Sequence, residues 1–334
     1  MSEEQKLILE MLSQGKISVE EAQRLLETVG MAQDEAQEPK HREPEPRSIV
    51  EDIVETIRTG LSNINFSFGD SGRIVLDEQH SGRFSSEAAE LELDVRNGTI
   101  RIESWDRDEF RLDVIKKIRA GTREQAEALI SRYRFADFDG KKLRAGDQEC
   151  RGLGNRVNVS LRLFLPRNHV YQGRADSKNG SVEVGGIDTS SFEIHTMNGS
   201  VRLNKVSGNR VLARTVNGSL RMEGGMGQVD ARTTNGSITL INIAEDSDVN
   251  LETVNGRILV QLPIREDIGV GLSARTTAGS VRLEHPYLDI KIDSRRVTGG
   301  RSVEAKSENW GEAPHRIALQ LRSVNGSITI RELE

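Results

Sequence analysis

Thr215-Val-Asn-Gly-Ser-Leu220 and Thr233-Thr-Asn-Gly-Ser-Ile238 are two renderings of one phrase, and the second half of the chain keeps returning to it. Further copies begin at Lys178, Met197, Val254, Thr277 and Val324; the Val254 copy carries Arg after the glycine, and the Thr277 copy carries Ala before it. The corners are thus Asn179-Gly180, Asn198-Gly199, Asn217-Gly218, Asn235-Gly236, Asn255-Gly256, Ala278-Gly279 and Asn325-Gly326. From Asn179 to Asn255 they lie 19, 19, 18 and 20 residues apart, a period typical of stacked supersecondary units. The gap then widens to 23 and 47 residues, which predicts an insertion or a degenerate coil near the end. An isolated Asn97-Gly-Thr-Ile100 predicts that the array starts before its regular part.

Around each corner the side chains alternate as a half-buried strand requires. Before it stand Phe192/Ile194/Thr196, Val211/Ala213/Thr215, Val229/Ala231/Thr233, Val249/Leu251/Thr253 and Leu272/Ala274/Thr276. After it stand Val201/Leu203, Leu220/Met222, Ile238/Leu240, Ile258/Val260, Val281/Leu283 and Ile328/Ile330. Glycine suits a turn because it accepts positive φ at little cost, and Asn tolerates that region better than most residues. Two folds can use such a turn. In a hairpin meander each Asn-Gly is a type I′ turn. In a β-solenoid each period is one coil, and the Asn and Thr columns stack into ladders. Repetition of whole phrases, not of the turn alone, favours the solenoid, and the small inward Ala213, Ala231 and Ala274 fit a narrow coil. The expected fold class is mainly β, a β-solenoid over residues 73–334 with regular repeats at 174–284 and a small helical hairpin in front.

That hairpin is read over residues 1–30. Ser2 with Gln5 and Ser18 with Glu21 are capping-box pairs, and Gly15 sits where a helix C-terminus favours a left-handed residue. Leu7, Ile8, Met11 and Leu12 give one helix an apolar stripe; Ala22, Leu25, Leu26 and Val29 give the other. About 30 residues bury too little surface to stand alone, so Leu7, Met11, Leu12, Leu25 and Leu26 are assigned to self-association or partner contact. Residues 31–48, polar and with three prolines, read as a flexible linker, and residues 49–65 as an amphipathic helix suited to packing. Within 73–165 the pattern is β, broken by one short helix from Thr122 with Gln125 in the capping-box position.

The chain has 334 residues, 4% aromatic, with a formal charge of −6. The acidic balance argues against nucleic acid as a partner, because phosphate neutralisation needs a basic excess. The six histidines are scattered, and none pairs with another or with the single cysteine, Cys150, at metal-ligand spacing. No nucleophile elbow or phosphate loop is present, and Gly224-Gly225-Met-Gly227 reads as a loop between strands. No cofactor is expected. No apolar run approaches the roughly 20 residues of a membrane span. The N-terminus lacks a signal-peptide pattern. The expected location is the cytoplasm with membrane association allowed, the alternative being the cell surface by another route.

Outward positions bring His195, Arg214, Arg232, Glu252 and Arg275 before the corners and Glu183, Arg202, Arg221, Thr239 and Arg282 after them. Arg202, Arg214, Arg221, Arg232, Arg275 and Arg282 could line up as a basic stripe for anionic lipid or cell-wall polymer. Nearby Glu193, Glu223 and Asp230 would neutralise much of its field.

The run Leu161-Arg-Leu-Phe-Leu-Pro166, followed by Ser177-Lys-Asn-Gly-Ser-Val-Glu-Val184 and its repeats, resembles the bacterial putative-adhesin family of β-solenoid domains. Leu7-x-x-Leu-Glu-Met-Leu-x-x-Gly-Lys-Ile-Ser-x-Glu-Glu-Ala22 resembles the short helical oligomerisation-type (SHOCT-like) domain fused ahead of it in YvlB-like and LiaX-like proteins. The resemblance implies a β-solenoid and, for the LiaX-like branch, a part in the envelope-stress response. It defines no catalytic residues. The expectation is a non-catalytic scaffold or sensor whose partners are a second copy or a membrane regulatory protein. A surface adhesin and, less favoured, a polysaccharide-active β-helix enzyme are the alternatives.

Overall fold

The computed structural model describes residues 73–263, 265–286, 288–295 and 300–333. The helical hairpin at 1–30 with Leu7, Met11, Leu12, Leu25 and Leu26, the linker at 31–48 and the helix at 49–65 lie outside the described residues. The chain divides into units at Met1–Phe66 and Ser67–Glu334, and the described residues all belong to the second.

Among the described residues, 23 strands follow the alternation of the sequence. They begin with β1 (Arg73–Gly82), β2 (Ala88–Asn97), β3 (Ile100–Trp105) and β4 (Phe110–Arg119). After helix α1 (Arg123–Ile130) come β5 (Ala136–Phe138), β6 (Lys142–Gly146) and β7 (Val157–Pro166). The regular array is β8 (Val170–Asn179), β9 (Val182–Gly185), β10 (Asp188–Thr196), β11 (Val201–Asn204), β12 (Ser207–Asn217) and β13 (Leu220–Glu223). It continues with β14 (Met226–Asn235), β15 (Ile238–Ile241), β16 (Ser247–Asn255), β17 (Ile258–Leu262), β18 (Ile268–Ala278) and β19 (Val281–Glu284). The last four are β20 (Leu288–Arg295), β21 (Arg301–Ser307), β22 (His315–Asn325) and β23 (Ile328–Glu332).

These strands form two sheets, one of 11 and one of 12 strands. In each Asn-Gly or Ala-Gly coil a long strand of the 12-stranded sheet passes through a corner into a short strand of the 11-stranded sheet, and coils stack in parallel register. The inner rows close the space between the sheets: Ala213, Ala231 and Ala274 on one side face Leu220, Ile238 and Val281 on the other, all buried.

Among the described residues nine coils stack, but not in chain order. The spatial sequence on the 12-stranded sheet is β6-β2-β8-β10-β12-β14-β16-β22-β18, and the 11-stranded sheet matches it strand for strand with β7-β3-β9-β11-β13-β15-β17-β23-β19. At one end the chain lays β2 and β3, adds β6 and β7 outside them, and continues on their other side with β8 and β9; at the far end it skips one place outward with β18 and β19 and later fills it with β22 and β23. The long gap before Asn325 is therefore an insertion of a particular kind: the hairpin β20–β21 closes the edge of β18 antiparallel, and the chain then comes back between β16 and β18. The other end is closed by β1 and β4 on one sheet and β5 on the other, all antiparallel. The scarce aromatic residues gather there: Phe110 lies 5.3 Å from Phe84 and 4.8 Å from Phe138, ring centre to ring centre. Helix α1 starts as expected, with the Gln125 amide donating to Thr122 Oγ1 at 3.3 Å.

The corners stack directly. Asn179 Nδ2 donates to Asn97 Oδ1 at 2.7 Å, and the amides of Asn198, Asn217, Asn235 and Asn255 each donate to the preceding one at 2.8 Å. Asn325 follows at 2.9 Å, and Ala278 ends the ladder. Behind it, the hydroxyls of Thr196, Thr215, Thr233, Thr253 and Thr276 donate to the carbonyls of Gly180, Gly199, Gly218, Gly236 and Gly326 at 2.9–3.0 Å. Each buried hydroxyl thus has its partner one coil away.

The left-handed turn expected at the corner glycines requires correction. None of Gly180, Gly199, Gly218, Gly236, Gly256, Gly279 or Gly326 adopts a left-handed φ. A Cβ on Gly218 would stand 1.9 Å from the Gly199 carbonyl oxygen, and at the other corners the clash is equally severe. Glycine is required because neighbouring backbones touch. The type I′ hairpin reading falls with the same observation.

Candidate functional site

Because stacking is in register, each outward position becomes a row. On the 12-stranded sheet one row runs Asp94, Asp176, His195, Arg214, Arg232, Glu252, Arg322, Arg275. On the 11-stranded sheet another runs Arg162, Arg101, Glu183, Arg202, Arg221, Thr239, Leu259, Thr329, Arg282. The single basic stripe expected from sequence is therefore two rows on different sheets. Arg214, Arg232 and Arg275 share one, Arg202, Arg221 and Arg282 the other. Within each, a single adjacent pair comes from that set, Arg214 beside Arg232 and Arg202 beside Arg221. The cause is elementary: residues three before and three after a corner lie on opposite sides of it.

Ion pairing separates these arginines further. Glu183 takes Arg101 at 2.6 Å and Arg202 at 2.8 Å. Burial works against its charge, but the two guanidinium groups outweigh that and hold the carboxyl below its usual range. Arg232 reaches Asp230 at 2.9 Å and Glu252 at 3.7 Å, and Arg322 reaches Glu252 at 3.6 Å. Among the described residues no carboxylate lies within 4.0 Å of the exposed Arg214, Arg221, Arg275 or Arg282. At the head of the first row, burial raises the Asp176 carboxyl despite its Arg174 partner, and burial lowers the His195 imidazole despite Asp176. That end is acidic and the far end basic.

An open groove of about 470 Å³ lies on the 11-stranded sheet, lined by Arg101, Ser104, Glu183, Gly186, Arg202 and Lys205 among others. Of its two carboxylates, Glu183 is committed to Arg101 and Arg202 and Glu103 lies 3.8 Å from Arg101, so with Lys205 three cations face two carboxylates. Cys150 is buried, and burial together with nearby Asp147 pushes its thiol up to about 11, away from nucleophilic use. Among the described residues no three His, Cys, Asp or Glu side chains are placed to hold a metal ion, and no helix is long and apolar enough to cross a membrane.

Sequence reasoning missed Arg322, Arg101 and Asn155. Arg322 stands three residues before its corner, the offset shared by Arg214, Arg232 and Arg275, so the pattern contained it. Arg101 stands three after Gly98 in the same way. Asn155, which accepts from Asn97 Nδ2 at 3.2 Å and heads the ladder, carries no repeat signal because it belongs to a short helical turn.

Two sheets joined by stacked corners, with display rows outside and a largely apolar interior, define a toastrack-type β-solenoid. Residues 158–331 match the Toastrack DUF4097 family, and the chain belongs to it. Residues 3–30 match a SHOCT-like domain. Among solved structures, the chain is similar to a putative cell adhesion protein from Clostridium sporogenes, at 14% identity and a TM-score of 0.39, covering 78% of this chain and 100% of that one. It is also similar to a putative adhesin from Parabacteroides merdae, at 10% identity and a TM-score of 0.34, covering 80% and 98%. Among curated proteins no match is found.

Proposed function

We propose that this chain is a non-catalytic display scaffold of the bacterial cell envelope, tied to envelope-stress regulation. The SHOCT-like segment serves self-association or contact with a membrane regulatory protein, and the solenoid presents ordered rows to a partner. The observation that supports this most is the unbroken ladder of corners from Asn155 to Asn325, which fixes each outward row at the inter-strand spacing. A module too small to stand alone, joined to such a surface, lets two weak contacts act together. The working location is the cytoplasmic side, at the membrane. The test compares the full chain with one lacking residues 1–48, by oligomeric state and by recovery with the membrane fraction. Loss of self-association or recovery on removal is expected; two monomers recovered equally would overturn the reading.

A second reading, an envelope binder for anionic polymers or lipids, draws support from the exposed Arg214, Arg221, Arg275 and Arg282, which have no carboxylate partner among the described residues. Co-sedimentation with cell-wall sacculi at low and high salt tests it, and binding that salt does not weaken would count against it. Activity on acidic glycans belongs to a third reading that no converging pair of free carboxylates on the two rows supports. Unsaturated products from a glycan panel would reinstate it.

A further inference from the structure

One row on the 12-stranded sheet is largely apolar. The residues immediately before the corners, Met197, Val216, Val254 and Val324, are 45, 41, 38 and 36% exposed. With the exposed Thr234 and Thr277 they mark six successive coils, Met197 in the bend just after β10 and the others within β12, β14, β16, β22 and β18. At the inter-strand spacing the row is about 24 Å long. Scattered apolar residues on a surface mean little, but a contiguous row marks a contact.

Its two flanks differ. On the corner side runs the asparagine ladder, whose amides are engaged with one another and form a neutral shelf. On the other side, two positions along each strand, runs Arg214, Arg232, Glu252, Arg322, Arg275, with Arg214 and Arg275 free of carboxylates among the described residues. The inserted coil completes both rows, placing Val324 between Val254 and Thr277 and Arg322 between Glu252 and Arg275.

We infer that this edge docks on an anionic lipid bilayer. The arginine row alone would fit any polyanion. Beside a largely apolar row running along it, it matches a surface in which acyl chains lie directly beneath phosphate headgroups. Guanidinium groups bind phosphate bidentately, while the short valine side chains enter only the headgroup boundary. A cell-wall polymer has phosphates but nothing for the valines to enter. Asp94 and Asp176 at the head of the arginine row are repelled by the same surface, so the contact centres on the stretch from Val216 to Thr277. This docking deepens the envelope-binder reading and rests on it.

The full chain is sedimented with phosphatidylglycerol vesicles and with phosphatidylcholine vesicles, at low and high salt, and separately titrated with soluble polyphosphate. Recovery on phosphatidylglycerol, weakened by salt and absent on phosphatidylcholine, is expected. The pair Val254→Ser with Val324→Ser, and separately Arg214→Gln with Arg275→Gln, should each reduce binding about tenfold. All four side chains are exposed, so thermal midpoints should hold; Met197→Ser with Val216→Ser repeats the apolar test if the first pair shifts them. No vesicle binding, equal recovery on both lipids, or indifference to the serine pairs overturns the inference. Polyphosphate binding without vesicle binding also overturns it, yet leaves the anionic-polymer reading standing.

Discussion

Asn325 donates from Nδ2 to Asn255 Oδ1 at 2.9 Å across 70 residues of chain, while Ala278, closer to Asn255 in sequence, lies one strand further away. The coil that ends the chain is therefore the last but one in space. Ala278 falls where the ladder has no next rung, so an amide there would have only one neighbour.

Asn217 has a neighbour on each side, donating to Asn198 and accepting from Asn235, whereas Asn325 has only Asn255. Asn217→Ala should cost about 1–2 kcal/mol and Asn325→Ala about half that, since a net hydrogen bond contributes about 0.5–1.5 kcal/mol. Denaturant unfolding of the two variants checks the ratio. Equal costs would mean that the ladder is not a chain of paired amides.

Gly218→Ala places a methyl group 1.9 Å from the Gly199 carbonyl, while the nearest atom to a Cβ on Gly225 is 3.8 Å away. The first should cost more than about 2 kcal/mol, the second less than about 0.5 kcal/mol. Neither position has a left-handed φ, so the comparison isolates close approach from backbone strain. Thermal melts of both suffice, and a silent Gly218→Ala would refute the backbone-contact account.

Ending the chain at Gly311 removes β22 and β23 and leaves β16 and β18 facing each other across an empty strand position. Loss of an outermost repeat exposes one edge, but loss of this one exposes two on each sheet, and unpaired edges associate. The truncated chain should aggregate or lose its cooperative transition, as read by light scattering during a melt. A soluble chain with a single sharp transition would show that the out-of-order coil is dispensable.

His315, at the entry to that coil, meets Asp246 at 2.8 Å and Glu245 at 3.5 Å. Its hydrogen bond to Asp246, helped by the surrounding carboxylates, raises the imidazole above its ordinary value. The fold therefore favours the protonated form. That stabilisation is complete below the unfolded value of about 6.5 and is lost as pH rises through the higher folded value. His315→Gln should lower the melting temperature more at pH 5.5 than at pH 8.5. An equal loss at both would assign the residue a packing role only.

How much of this could be read without coordinates is decided by distance along the chain. Repeat spacing and alternation are local, so they were enough for the mainly β solenoid, the inward alanines, the outward arginines and the membership of Asn97 in the array ahead of its regular part. Which outward residues become neighbours is not local. The same phrase occurs at Thr277 and at Val324, and nothing in either copy says which stacks on Asn255.

The corner glycines make the point at atomic scale. Sequence identifies them as necessary, because glycine recurs at each corner, but suggests the commonest reason, a left-handed turn. Only the stacked backbones show that the carbonyl of the coil beneath occupies the space a Cβ would need. Likewise the arginines were legible singly, and their division between two sheets was not, because it depends on where the corner folds the strand over.

By itself, then, the chain determined a periodic β structure with an apolar interior and charged exterior, since burial and alternation act between residues a few positions apart. Tertiary structure alone decided that the final coil returns to the interior of the stack, setting Val324 beside Val254 and Arg322 beside Glu252. The physical reason is that strand pairing is satisfied by any edge of matching register, and the edge left open between β16 and β18 is created only after the chain has passed it by.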